Sequence, residues 1–186
     1  MRKFRPPSNP PTPAEVERSG IERFNALPEK DAAAALRDCC GSEEWVRRML
    51  ARRPFVTAAE LYETADDIWN GLKNDDWLEA FRHHPRIGER KAEKAQSGTA
   101  KDWSANEQTS VEAGSTQAKN KLAEANHAYE KKFGFIFIVC AAGKSPEEIL
   151  AMLKRRLRNM PPAELRVAAE EQRKITCLRL EKMLNA

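Results

Sequence analysis

One stretch of this chain, residues 135–140, has the aromatic and β-branched composition of a β-strand. No second strong stretch of that kind occurs in the sequence to pair with it. A lone strand would leave backbone N–H and C=O groups without hydrogen bonds. We therefore expect a short buried extended segment near residues 135–140, lying between helices, and we predict an all-α fold.

Helix start and stop signals divide the rest of the chain, and apolar residues recur at helical spacing between them. Capping boxes, in which a hydroxyl residue is followed three residues later by Glu, predict helix starts at Thr12, Thr57, Ser104 and Ser145. We expect residues 86–102 to be mostly loop, with a short helix near residues 90–96. The pattern predicts about eight helices in one bundle-like domain over residues 14–186. Residues 1–13 form a basic, Pro-rich tail that we expect to be disordered.

Composition excludes several classes of protein. No apolar run approaches the roughly 18 residues of a membrane span, and no apolar stretch typical of a secretory signal opens the chain, so we expect a cytoplasmic protein. The net charge of +4 does not by itself indicate nucleic-acid binding. The spacing of the four cysteines matches no metal or redox motif, which predicts reduced, mostly buried thiols at Cys39, Cys40, Cys140 and Cys177.

His84 is the first candidate for chemistry, since imidazole transfers protons at physiological pH and the chain has three histidines. It precedes Pro85, where a helix ends and a side chain can point into a cleft. The alternative is an exposed or capping loop histidine.

Other candidates also have structural alternatives. Local grounds favour a capping box for Glu107 and Ser104, although a helix start also attracts anionic groups of a substrate. Arg156 has the chemistry to bind a carboxylate but also suits a solvated helix face. The aromatic residues around Gly134 suit core packing as well as a ligand wall. No metal-ligand cluster and no nucleotide motif is visible, which favours a cofactor-free reaction or no reaction.

Four motifs then change the interpretation because they occur together and in order: HPRIG at 84–88, SANEQ at 104–108, YEKKFGFIFI at 129–138 and RLRN at 156–159. With these motifs the chain resembles the 2-oxo-4-hydroxy-4-carboxy-5-ureidoimidazoline (OHCU) decarboxylases of urate degradation. The resemblance runs from about Phe24 to the C-terminus. Two positions depart from the pattern, with Ile136 where many members have Pro and Arg158 where Gly is common.

The resemblance implies an all-α homodimer that acts without metal or organic cofactor. Its substrate is a five-membered ring with a carboxylate, a hydroxyl and a ureido group, and loss of CO2 with stereospecific protonation gives (S)-allantoin. It implies His84 as acid/base and Glu107 as the group that orients His84 or the ureido group and raises the imidazole pKa. The implied substrate-binding residues are Pro85, Ser104, Gln108, Phe133, Phe137, Ile138, Val139 and Arg156.

Two competing hypotheses remain. A non-catalytic helical interaction module would present Arg47, Arg48, Arg52 and Arg53 to nucleic acid or an acidic partner. A family member acting on a related ureido acid would keep the motifs but change the substrate. The decarboxylase hypothesis involves neither nucleic acid nor a membrane, and it predicts that His84, Glu107, Phe133 and Arg156 meet in one small pocket.

Overall fold

The computed structural model describes residues 10–88, 96–109 and 116–186, and within these ranges the chain forms nine α-helices. They are α1 Pro13–Ala26, α2 Glu29–Cys39, α3 Glu43–Leu50, α4 Ala58–Asn70, α5 Asn74–Phe81, α6 Gly98–Glu107, α7 Thr116–Phe133, α8 Pro146–Arg156 and α9 Pro161–Asn185. The all-α prediction is confirmed, with a helix number close to the expected eight. Most of the predicted tail and of the helix predicted near residues 90–96 lies outside the described residues.

Three of the four predicted helix starts are confirmed. Thr12 and Ser145 each form a complete capping box, and Thr57 caps α4 by accepting from the Glu60 N–H. The fourth prediction is wrong, because Ser97 caps α6 by accepting from the Ala100 N–H at 3.0 Å. Ser104 consequently lies inside α6, and Glu107 is its last residue. Residues 97–102, expected to be loop, contain the cap and first turns of this helix.

Two clusters of buried apolar side chains form the core. The larger cluster lies among α1–α5 and α9 and contains the fully buried Trp45, Leu36 and Phe81. The smaller cluster lies between α7 and α8 around Tyr129 and Leu153. The long helix α9 packs against α1, α2, α4, α5 and α7. Residues far apart in the sequence therefore meet along α9.

The 135–140 segment is extended and largely buried, and it pairs with no strand among the described residues, as predicted. Side chains satisfy part of its backbone instead. Arg156 Nη1 donates to the Ile138 carbonyl at 2.7 Å, and the Glu171 carboxylate accepts from the Cys140 N–H at 2.9 Å. Lys144 Nζ donates to the Cys140 carbonyl at 2.7 Å. Three side chains thus replace the missing partner strand.

Most of the arginine cluster that supported the interaction-module hypothesis is engaged within the protein. Arg47 and Arg48 both pair with Glu44. Arg53 Nη2 donates to the carbonyl oxygens of Phe24, Asn25 and Leu27, each at 2.8 Å.

None of the cysteines forms a disulfide, and all but Cys177 are buried. In the described ranges, no helix is long and apolar enough to cross a membrane.

Gly20 allows the close contact between α1 and the end of α9. A Cβ atom at this position would lie 2.2 Å from the Leu184 carbonyl oxygen, to which Arg23 Nη2 donates at 2.9 Å. We expect Gly20→Ala to lower the free energy of unfolding by about 1–3 kcal/mol, because the helices must separate. Urea denaturation measures this. The control is Gly98→Ala, where no atom lies within 4 Å of the added Cβ. Equal stability of the two variants would contradict the packing argument.

Candidate active site

A small cleft lies where the loop after α5 and the end of α6 meet the 137–142 segment and α9. Among its lining residues are eight of the ten predicted from the sequence: His84, Pro85, Ser104, Glu107, Gln108, Phe137, Ile138 and Val139. The structure therefore brings three of the four sequence motifs to one place.

The loop at residues 84–88 is held from three directions. The His84 N–H donates to the Phe81 carbonyl at 3.0 Å, which continues the last turn of α5 up to Pro85. Gly88 has a φ of 88°, a left-handed conformation that favours glycine. Its N–H donates to Gln108 Oε1 at 2.9 Å, and Asn126 Nδ2 donates to the Ile87 carbonyl at 3.1 Å. These bonds place the imidazole against the cleft.

His84 is buried, and its imidazole is neutral at physiological pH. Burial and the positive charge of Arg179 lower the pKa of His84 from 6.5 to about 3, and the opposing effects of Glu107 and Gln172 are smaller. Glu107 does raise the pKa of His84, as expected. The overall pKa is nevertheless lowered, so the expectation of a raised pKa is wrong. Desolvation disfavours the charged imidazole more than one carboxylate stabilises it. The site thus holds a histidine that can accept a proton.

Arg179 is a functional candidate that the sequence analysis missed. Its Nη2 donates to Glu107 Oε2 at 2.8 Å and to Ser104 Oγ at 3.0 Å, while Nε donates to Glu107 Oε1 at 3.1 Å. Lys182 Nζ also donates to Glu107 Oε1, at 3.2 Å. Burial works to raise the pKa of Glu107, but these two cations together lower it below its ordinary value. Glu107 therefore stays ionised inside the protein.

The observation that marks Arg179 comes from the spacing of polar residues on α9 together with their burial in the structure. Gln172, Thr176 and Arg179 are each less than 10% exposed and lie four and three residues apart on α9. Three polar residues at helical spacing form one buried stripe along the helix. We call these three residues the polar stripe. Buried polar groups need partners, so such a stripe indicates a site or a structural network.

The structure does not bring Arg156 and Phe133 to the cleft, so the predicted four-residue convergence is wrong for these two. The Arg156 side chain is 4% exposed and pairs with the fully buried Glu164 at 2.7 Å. It also donates to the Ile138 carbonyl and the Tyr129 hydroxyl. A guanidinium inside a protein needs acceptors, and Glu164, the Ile138 carbonyl and the Tyr129 hydroxyl supply them here.

Phe133 lies at the end of α7, in the smaller core cluster. Its ring centroid is 4.6 Å from that of Tyr129, so it packs against the core and does not form a wall of the cleft. The two departures from the motif pattern, Ile136 and Arg158, are also outside the cleft. Arg158 is exposed just beyond α8.

Cys140 lines the cleft, but its chemistry is not that of a nucleophile. Burial raises the pKa of this thiol above its ordinary value of 9.0. It is therefore protonated at neutral pH, and the thiolate is the reactive form. In the part of the chain that the structure describes, no group of three His, Cys, Asp or Glu side chains is arranged to hold a metal ion.

A family model described as OHCU decarboxylase matches residues 25–181, which include the whole cleft. The chain belongs to the OHCU decarboxylase family. This confirms the resemblance drawn from the motifs, and the residues that line the cleft all lie within the matched range.

Relatives of known name agree with the family. The chain is 43% identical over 148 residues to the uric acid degradation bifunctional protein TTL of Arabidopsis thaliana, an alignment covering 79% of this chain and 45% of that protein. It is 32% identical over 137 residues to the 2-oxo-4-hydroxy-4-carboxy-5-ureidoimidazoline decarboxylase of Amia calva. That alignment covers 71% of this chain and 75% of the Amia calva protein. The chain thus spans less than half of the Arabidopsis relative.

A solved OHCU decarboxylase, crystallised in the presence of (S)-allantoin, has the same fold. Its TM-score is 0.70 at 40% identity, and the match covers 82% of this chain and 99% of that chain. The helices that build the cleft therefore belong to a fold shared within the OHCU decarboxylase family.

The contacts of Arg156 predict a structural role. We expect Arg156→Met to lower the free energy of unfolding by about 3–5 kcal/mol, because it leaves the Glu164 carboxylate buried without its cation. Arg155→Met is the matched control, an exposed arginine on the same helix. Urea denaturation compares the two. A stable Arg156→Met protein with weakened ligand binding would instead support the substrate-contact role.

The pKa of His84 predicts a pH dependence of stability. The unfolded chain takes up a proton near pH 6.5, whereas folded His84 does so only near pH 3. Its contribution to stability is therefore complete above pH 6.5 and is lost as the pH falls toward 3, by about 1.4 kcal/mol per pH unit. We expect His84→Gln to reduce the acid-side slope of unfolding free energy by about that amount. Parallel wild-type and variant curves would disprove the assignment.

Proposed function

We propose that this protein decarboxylates OHCU to (S)-allantoin in urate degradation, as a carboxy-lyase without metal or organic cofactor. The observation that carries the proposal is the convergence of His84, Glu107, Ser104 and Gln108 on one small cleft. Family membership supports it, as does the solved relative crystallised in the presence of (S)-allantoin.

The substrate itself provides the electron sink for the reaction. The bond between a ring carbon and its carboxylate breaks, and CO2 leaves. The electron pair moves toward the adjacent ring C=N bond, whose nitrogen takes a proton. The hydroxyl on the decarboxylated carbon then loses its proton and becomes a carbonyl, while the neighbouring carbon that bears the ureido group gains a proton. Delivery of that proton to one face of the ring gives a single enantiomer.

His84 is the proposed acid/base in this sequence. Its neutral imidazole accepts the hydroxyl proton and can then donate a proton to the ring. A pKa near 3 makes it a weak base in the empty site. The anionic substrate adds a negative charge beside it, which favours the imidazolium and raises the pKa. Substrate binding would in this way make His84 a stronger base.

Three polar side chains are proposed to orient the ring. Ser104 Oγ already accepts from Arg179 and from Gln96 Nε2, at 3.2 Å, so its hydroxyl proton is left to donate to a substrate oxygen. Gln108 uses its Oε1 on Gly88, so its amide nitrogen is left as a donor. The ionised Glu107 accepts from ureido N–H groups. This arrangement distinguishes the two faces of the ring.

Of the two competing hypotheses, the interaction module fits the structure less well. The interaction module requires no convergence of His84 and Glu107, yet both line the same cleft. A related ureido acid would use the same donors and acceptors, so the choice of substrate has to be measured. We also propose, from the resemblance, that the protein acts as a cytoplasmic homodimer, which analytical ultracentrifugation can test.

The reaction can be followed by circular dichroism while OHCU is generated from urate in the cuvette. Spontaneous decay gives racemic, optically silent allantoin. We expect the protein to produce a fast-growing signal of one hand, and His84→Gln to lower the turnover number about 10²–10⁴-fold, as loss of an acid/base does. The control is His127→Gln, an exposed histidine outside the cleft.

Three outcomes separate the hypotheses. A signal that disappears in His84→Gln and persists in His127→Gln supports both reaction and site. Wild-type turnover in His84→Gln would remove His84 from the mechanism. No signal above spontaneous decay would remove OHCU as the substrate and direct the assay to related ureido acids.

A further inference from the structure

Gln172, in the polar stripe, has a buried acceptor without a partner. The residue is fully buried on α9, and its Nε2 donates to Thr176 Oγ1 at 3.2 Å. Its Oε1 has no hydrogen-bond partner in the structure. Leaving a buried carbonyl oxygen unpaired costs about 1–3 kcal/mol. A neighbour that can donate a proton to Oε1 is therefore expected.

The orientation of the Gln172 amide follows from its other neighbours. Thr176 Oγ1 accepts from the amide nitrogen of Gln172 at 3.2 Å, and the Thr176 hydroxyl also lies beside the Cys40 sulfur. The Thr176 oxygen is consequently an acceptor, which suits the Gln172 amide nitrogen and not the amide oxygen. With the nitrogen bound to Thr176, the oxygen is the end of the amide that remains for His84, whose imidazole interacts with this side chain.

A neutral imidazole has one N–H and one lone pair, so a buried His84 needs one acceptor and one donor. Four side chains interact with the His84 imidazole: Arg179, Glu107 and the adjacent His83 through charge, and Gln172 through its amide. Arg179 has only donors. The Glu107 carboxylate accepts three hydrogen bonds from Arg179 and Lys182, and the proposed function assigns its remaining capacity to the substrate. Gln172 Oε1 is the acceptor that has no bond.

We propose that Gln172 is a positioning residue that selects the tautomer of His84. Its Oε1 accepts the imidazole N–H, so the other ring nitrogen remains unprotonated as the base. The catalytic consequence rests on the proposed function, whereas the choice of tautomer is a property of the free protein. This assigns to Gln172 the orienting role that the family resemblance suggested for Glu107.

Nuclear magnetic resonance of protein labelled with ¹⁵N-histidine tests the tautomer without substrate. His84→Gln assigns the His84 signals. We expect one tautomer in the wild type and a changed tautomer population in Gln172→Met, which keeps the chain length but removes the acceptor. Gln172→Glu retains an oxygen acceptor and should restore the wild-type tautomer. Thr176→Val, which frees the amide to rotate, should change the tautomer in the same direction as Gln172→Met.

Kinetics supply the second readout. Selecting the wrong tautomer removes the base but not the binding groups, so we expect Gln172→Met to lower kcat about ten-fold or more with KM within about two-fold. The control Ala168→Gly loosens the same helix at a fully buried position and should leave the tautomer unchanged.

The outcomes are distinguishable from those of the proposed function. A wild-type tautomer in both Gln172→Met and Thr176→Val overturns the inference, whatever the activity. If Gln172→Met does not fold, Thr176→Val alone decides. A changed tautomer in a protein that fails to decarboxylate OHCU would support the role of Gln172 and contradict the choice of substrate.

Discussion

The site depends on the buried guanidinium of Arg179, which joins three helices. It donates to the Asp38 carbonyl at the end of α2, at 3.2 Å, and to Ser104 and Glu107 on α6. A buried charge is costly unless it is paired and its hydrogen bonds are made, so these acceptors are a condition of the fold as well as of the chemistry. The same bonds orient one wall of the cleft, keep Glu107 ionised and lower the pKa of His84.

The charges around His84 bear on the proposed reaction, in which a buried histidine acts on an anionic substrate. Arg179 and Lys182 pair with the single carboxylate of Glu107, so this cluster of three residues carries one net positive charge. A substrate with one carboxylate compensates that charge. In a buried site this compensation is larger than it would be in water, because the effective dielectric constant is lower. In the proposed reaction, burial therefore makes His84 a weak base before the substrate binds and a stronger one once it is bound.

The parts of this structure that depend on local sequence were predictable. The helix starts at Thr12, Thr57 and Ser145 follow from capping chemistry. The buried extended segment follows from the absence of a partner strand. The Ser104 motif failed as a helix start because Ser97 offers the same cap seven residues earlier. Its side chains are used for the site instead. The same residue pattern fits both a capping box and the proposed catalytic motif, and only tertiary contacts distinguish the two.

Arg156 and Arg179 show what local patterns cannot decide. Both are 3% exposed and both pair with a glutamate, so their chemistry is nearly the same. Arg156 bonds to Glu164, eight residues away, and lies beside the smaller core cluster. Arg179 instead bonds across 75 residues to Ser104 and 141 residues to Asp38. The path of α9 past the end of α6 determines which arginine bonds to Ser104 and Glu107 in the lining of the cleft. That path is a property of the packed helices, and no motif around either arginine contains it.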